Sequence, residues 1–100
     1  MATATQTAPF TETETDTEAR TEPEGLFDVI PLNNNHNNFQ EVALVLQEAV
    51  PCDAQRAWTY TLQIHSQGAA TVLTAPWTQA VRCAAKIRRI GIQVRVEKQR

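Results

Sequence analysis

A chain of 100 residues allows one small domain at most. Its formal net charge of −2 is unevenly placed. Residues 1–25 carry Glu12, Glu14, Asp16, Glu18, Glu22 and Glu24 against Arg20, a net of −5, while residues 26–100 carry five acids against eight bases, a net of +3. No apolar run approaches the roughly 18 residues of a membrane helix, which excludes a transmembrane anchor.

Residues 1–25 are dominated by Thr, Glu, Ala and Pro, with Phe10 the one large apolar side chain. Such a segment cannot bury enough apolar surface to offset its ordering entropy, so it reads as a disordered acidic extension. It is too acidic for a transit peptide and lacks the apolar stretch of a secretory signal. Residues 26–100 read as the folded domain. At that size only about 60% of the unfolded surface is buried, which leaves little room for a deep active site.

In chain order, Leu26 to Leu32 reads as a strand, with Phe27, Val29 and Ile30 supplying β-propensity. Pro31 cannot donate to a ladder, so it belongs at an edge or at the strand's end. Asn33 to Asn38 is a loop. Phe39, Val42, Ala43, Leu46 and Val50 recur at helical spacing and predict a first helix over 39–50, capped by Asn37 or Asn38 and stopped by Pro51. Asp53 caps a second helix over 54–66, with Ala54, Ala57, Trp58, Thr61 and His65 on one face and Gly68 as its stop.

Ala69 to Leu73 reads as a second strand. Thr74 is expected to cap a third helix with Pro76 in its first turn, along an apolar stripe of Trp77, Ala80, Val81, Ala84 and Ile87. Gly91 stops it. Ile92, Val94 and Val96 then alternate with Gln93, Arg95 and Glu97 as a half-buried last strand. The order β-α-α-β-α-β predicts an α/β two-layer sandwich, three helices on one face of a small three-stranded sheet.

Chemistry concentrates in two places. Asn33, Asn34, Asn35, Asn37 and Asn38 fall within six residues. Their amides either cap the first helix and hold their own turn, or offer carbonyl oxygens to a ligand bearing N–H donors. His65 is either a satisfied imidazole or a contact to that ligand; His36 reads as solvated. Cys52 and Cys83 have no metal-ligand spacing with either histidine and no secretory context, so they read as reduced thiols of a cytoplasmic protein. Trp58, Trp77 and Tyr60 sit at core spacing. Arg82, Lys86 and Arg89 line one face of the third helix; a net of +3 without interleaved aromatics reads as a solvated face, not a nucleic-acid surface. No catalytic constellation, metal site or cofactor is expected.

The strand ending in Asn33, the helix Phe39-Gln-Glu-Val-Ala-Leu-Val-Leu-Gln47 and the second helix ending His65-x-x-Gly68 together resemble ClpS, the N-end-rule adaptors of the Clp proteases. The resemblance covers about residues 27–97. It implies that Asn33, Asn34, Asn35, Asn37 and His65 surround the free N-terminus of a peptide, while Phe39, Val42, Thr61, Ile64 and Ile92 line a pocket for its first side chain. It further implies a monomeric adaptor that delivers proteins with bulky apolar first residues to a Clp AAA+ chaperone of the ClpA or ClpC type. The chain departs from the family pattern at Asn34 and Asn35, where the family has two Asp, at Asn37, where it has Thr, and at Phe39 and Thr61, where it has Met. Those departures leave a second implication: a paralogue of the same fold that serves as a protein-interaction domain without N-terminus recognition.

Overall fold

The computed structural model of the chain describes residues 22–99. The expected disordered extension therefore lies, for residues 1–21, outside the described residues. Its last four residues lie within them: the Glu22 carboxylate accepts from the Thr78 hydroxyl, and Gly25 turns the chain at φ 93°.

Strand β1 (Leu26–Pro31) is central, flanked by β2 (Leu73–Pro76) and β3 (Val94–Lys98) in the antiparallel order β2-β1-β3. Alternation along β1 points Phe27, Val29 and Pro31 to one face, where they meet Ala75, Val94 and Val96, all buried. Leu26, Thr74 and Arg95 face solvent on the other side. A sheet with one apolar face needs one covering layer. Helix α3 (Trp77–Arg88) supplies it, packing on all three strands through Trp77, Ala80, Cys83, Ala84 and Ile87. Helix α1 (Phe39–Ala49) packs beside α3, and α2 (Ala54–Gln67) beside α1. The element order and two-layer architecture are those expected. Among the described residues no helix is long and apolar enough to cross a membrane.

Five details differ from the sequence reading, the first being that the last strand begins at Val94 and leaves Ile92 outside it. The second strand lies at Leu73–Pro76 instead of Ala69–Leu73. Residues of β1 face β2 and β3 alternately: Val29 accepts from Val72, Leu32 donates to Gln93, and Asn33 donates to Gly68. Pro31 falls on the β2 side of that alternation, where it has no N–H to give. The ladder breaks there, and three residues separate Ala69 from Leu73 while two separate Leu32 from Val29, a one-residue bulge opposite the proline.

Thr74 does not cap α3, because its hydroxyl donates to Asp28 across the sheet at 2.6 Å. Pro76 occupies the cap position with no side-chain cap bond. Trp58 is not core. The buried stripe of α2 is Ala57, Thr61 and Ile64, leaving Ala54 and His65 exposed and Trp58 41% exposed. On α3, Cys83 takes the buried place expected of Val81, which is half-buried.

Candidate functional site

The loop after β1 is built by two opposing ties. On one side Leu32 N–H donates to Gln93 O and Asn33 N–H to Gly68 O, each at 2.9 Å. Gly68 ends α2 in the left-handed region at φ 87°, its own N–H returning to Ile64 O. Glycine enters that region without steric cost, and the turn it makes aims its carbonyl at Asn33. The spacing His65-x-x-Gly68 thus brings the imidazole, three residues before the stop, to the Asn33 end of the loop.

On the other side Asn38 caps α1. Its Oδ1 accepts from Glu41 N–H at 2.8 Å, and Glu41 Oε1 accepts from Asn38 N–H at 3.0 Å. This reciprocal pair is a capping box. Glu41 Oε1 also accepts from Asn37 Nδ2 at 3.2 Å, which turns Asn37 Oδ1 toward Asn34 Nδ2 at 2.9 Å. Asn34 Oδ1 in turn accepts from the backbone N–H groups of His36 and Asn37, both at 3.2 Å. Two asparagines are therefore spent on the loop itself. The network takes in neither the Asn33 nor the Asn35 amide, and both residues are exposed. The alternative readings of the cluster divide by residue: Asn34, Asn37 and Asn38 hold the turn and cap, while Asn33 and Asn35 keep their amides available.

Beneath the loop lies a cavity of about 450 Å³. Every residue singled out for the site lines it: Asn33, Asn34, Asn35, Asn37 and His65, together with Phe39, Val42, Thr61, Ile64 and Ile92. Val42, Thr61, Ile64 and Ile92 are buried and form its floor. Phe39, the first residue of α1, stands edge-on between two aromatics, with its ring centroid 4.9 Å from His65 and 5.9 Å from Trp58. Among the described residues no Asp, Glu, Lys or Arg lines the cavity. The carboxylate nearest in sequence, Glu41, is held in the capping box. The site offers neutral acceptors above an apolar hollow, suited to a small N–H-bearing cation joined to a hydrocarbon group.

A larger groove of about 570 Å³ runs between the α1–α2 connection and β2. Its groups do not converge. Asp53 is occupied in capping Arg56 N–H at 2.8 Å, and the Arg56 guanidinium lies 6.0 Å from the Tyr60 ring centre. Burial raises the Cys52 thiol above its ordinary range, helped by the Asp53 carboxylate, and pushes the Cys83 thiol up to about 11. Both remain protonated at neutral pH, which makes them poor nucleophiles. Size favours this groove, but converging chemistry favours the smaller cavity, and the latter is the better site.

Two features of the site escaped sequence reasoning. The spacing Asn38-x-x-Glu41 is a capping-box signal and identifies both the cap and the carboxylate that orients Asn37. Trp58 had no such signal, since its role depends on which side of α2 faces Phe39.

The protein-family model described as ATP-dependent Clp protease adaptor protein ClpS matches residues 22–95. The ATP-dependent Clp protease adapter protein ClpS of Thermosynechococcus vestitus is 37% identical over 67 residues, covering 66% of this chain and 71% of that protein. The ClpS of Synechocystis is 39% identical over 67 residues, covering 66% and 68%. Among solved structures, Agrobacterium tumefaciens ClpS2 bound to L-phenylalaninamide superposes with a TM-score of 0.71 over 75% of this chain and 98% of that one, at 18% identity. At that identity the likeness speaks for the fold.

Proposed function

The chain belongs to the ClpS family of ATP-dependent Clp protease adaptors, and from that premise we propose that its cavity binds the free N-terminus of a polypeptide together with a bulky apolar first side chain. The domain is a binding module with no catalytic step of its own. It hands the bound chain to a Clp AAA+ chaperone of the ClpA or ClpC type, acting as a monomer in the cytoplasm. One observation carries this reading: Asn33 and His65, 32 positions apart in sequence, line one cavity together with the apolar Phe39, Val42, Ile64 and Ile92. An α-ammonium there meets acceptors while its side chain enters the hollow. The test is a titration of short free-amine peptides differing at residue one. Phe- or Tyr-first peptides should bind, and Gly- or Glu-first peptides should not. Affinity indifferent to residue one refutes the proposal and favours the paralogue with no N-terminus recognition.

The two amides where the family has carboxylates set the strength. A hydrogen bond from ammonium to carboxylate is roughly twice as strong as one to a neutral acceptor, so the substitution costs about 1–2 kcal/mol of binding. Asn35→Asp should recover part of it, tightening free-amine peptides about 5-fold at low salt, with the gain fading as salt screens this exposed position. Asn34→Asp should recover less. Its second oxygen would face Asn37 Oδ1 where Nδ2 now donates, and the Asn37 amide cannot flip without giving up Glu41. Anisotropy titrations in low and high salt check both. A larger gain from Asn34→Asp than from Asn35→Asp would contradict the assignment of Asn34 to the loop.

A further inference from the structure

Among the described residues Thr61 is the one buried polar side chain, 2% exposed, and it lies on the cavity floor. Its environment follows from its place in α2. A threonine inside a helix turns its hydroxyl back to the carbonyl one turn earlier, and Thr61 Oγ1 donates to Ala57 O at 2.8 Å. That bond uses the only proton the hydroxyl has. Two lone pairs remain on Oγ1, so toward a ligand Thr61 is an acceptor and not a donor. The neighbouring buried floor residues, Val42, Ile64 and Ile92, present only hydrocarbon. Thr61 is therefore the one buried floor residue with a polar side-chain atom, and the capacity left on that atom is an acceptor's.

This acceptor selects among apolar first residues. A phenylalanine or leucine side chain filling the hollow covers Thr61 Oγ1 with carbon and leaves its lone pairs without a partner. A tyrosine side chain brings an O–H to the far end of the same ring. A cavity of about 450 Å³ has room for the added oxygen, being within the range of pockets that enclose whole small ligands. We propose that this site prefers tyrosine as the first residue of its peptide, the phenol O–H donating to Thr61 Oγ1. The inference rests on the N-terminus reading above and names the substrate class of that site.

Burying a phenol with no acceptor is unfavourable, whereas the Thr61 oxygen, 2% exposed before any ligand arrives, gains a donor from tyrosine and loses nothing to phenylalanine. One neutral hydrogen bond in such a setting is worth about a five- to tenfold preference for tyrosine over phenylalanine. Without the Thr61 oxygen the order should reverse, because the phenol would then be buried without a partner.

The experiment compares three free-amine peptides, identical after residue one, that begin with Phe, Tyr or O-methyl-Tyr, using isothermal titration with the full chain and with Thr61→Val. For the unaltered chain the expected order is Tyr tightest by about five- to tenfold over Phe, with O-methyl-Tyr losing the advantage because its oxygen has no proton. Thr61→Val keeps the side-chain shape and should bind Phe somewhat better and Tyr worse, reversing their order. Tyr binding no better than Phe to the unaltered chain, while both still need a free amine, overturns the inference and leaves the N-terminus reading standing. O-methyl-Tyr binding as tightly as Tyr overturns it too, and needs no variant. Failure of all three peptides to bind removes the underlying reading and the inference with it.

Discussion

Acetylating the amine of a Phe-first peptide should weaken its binding at least 100-fold, the largest change expected from a modification of so few atoms. A free α-ammonium brings three N–H donors and a positive charge. Asn33 and His65 line the same cavity, both exposed and neither drawn into the hydrogen bonds that hold the loop. Hydrogen bonds from a charged donor contribute about 1.5–3 kcal/mol each. Acetylation removes the charge, leaves a single donor and adds a carbonyl oxygen facing acceptors. Two lost bonds are worth at least 3 kcal/mol, about two orders of magnitude in affinity. Asn33→Ala and His65→Ala should each cost about 1–3 kcal/mol. His65→Ala should also loosen Phe39, whose ring packs edge-on to the imidazole at 4.9 Å. Paired titrations of acetylated and free peptides check this directly. Equal affinity for the two forms would mean that these acceptors meet no ammonium group, and the protein-interaction paralogue would become the better reading.

The site was legible to a degree that the peripheral structure was not, for a physical reason. Asn33 and His65 are placed by backbone rules with short sequence signals: a strand that ends, a helix that stops at a left-handed glycine, and a carbonyl that joins them. Val42 and Thr61 follow from helical periodicity and Ile92 from strand alternation, and all three are buried; Ile64, buried as well, was implied only by the family resemblance. The division of labour within the asparagine cluster was not legible. Asn34 and Asn35 are chemically identical, and only the fold decides that one is tied to the His36 and Asn37 backbone while the other is not. The displaced second strand was half legible. Pro31 announces a missing donor, but which neighbour loses it depends on the alternation of β1 between β2 and β3. Thr74 misled because a threonine before a proline and a helix is a good cap by local rules, whereas a cross-strand Asp28 competed successfully for its hydroxyl. Local chemistry predicts well where no distant partner contests it.

The two tryptophans turn that lesson into the second large expected effect. By spacing both belong to the core, yet the structure separates them. Trp77 is 1% exposed at the start of α3 and packs edge-on against Phe27 of the central strand at 5.1 Å. It thereby joins the helix layer to the sheet. Trp58 is 41% exposed and touches Phe39 at the cavity mouth. A domain of this size has a total stability of about 4–11 kcal/mol. Trp77→Ala removes a large buried ring and leaves a cavity, at a cost of about 3–5 kcal/mol, from about a quarter of that stability up to all of it. The melting temperature should fall by about 12–40 °C, if a folded state survives at all. Trp58→Ala should cost under about 1 kcal/mol, since most of what it loses is one exposed edge contact. Thermal melts followed by circular dichroism compare the two, and each variant keeps one tryptophan whose emission reports the other environment. Peptide addition to the Trp77-bearing variant should leave its emission nearly unchanged, while in the unaltered chain the Trp58 contribution should respond, because Phe39 lies between Trp58 and His65. A Trp58→Ala protein as unstable as Trp77→Ala would place Trp58 back in the core and remove it from the mouth. Equal and mild melts for both would instead mean that the α3–sheet contact does not rest on Trp77, contrary to its near-complete burial against β1.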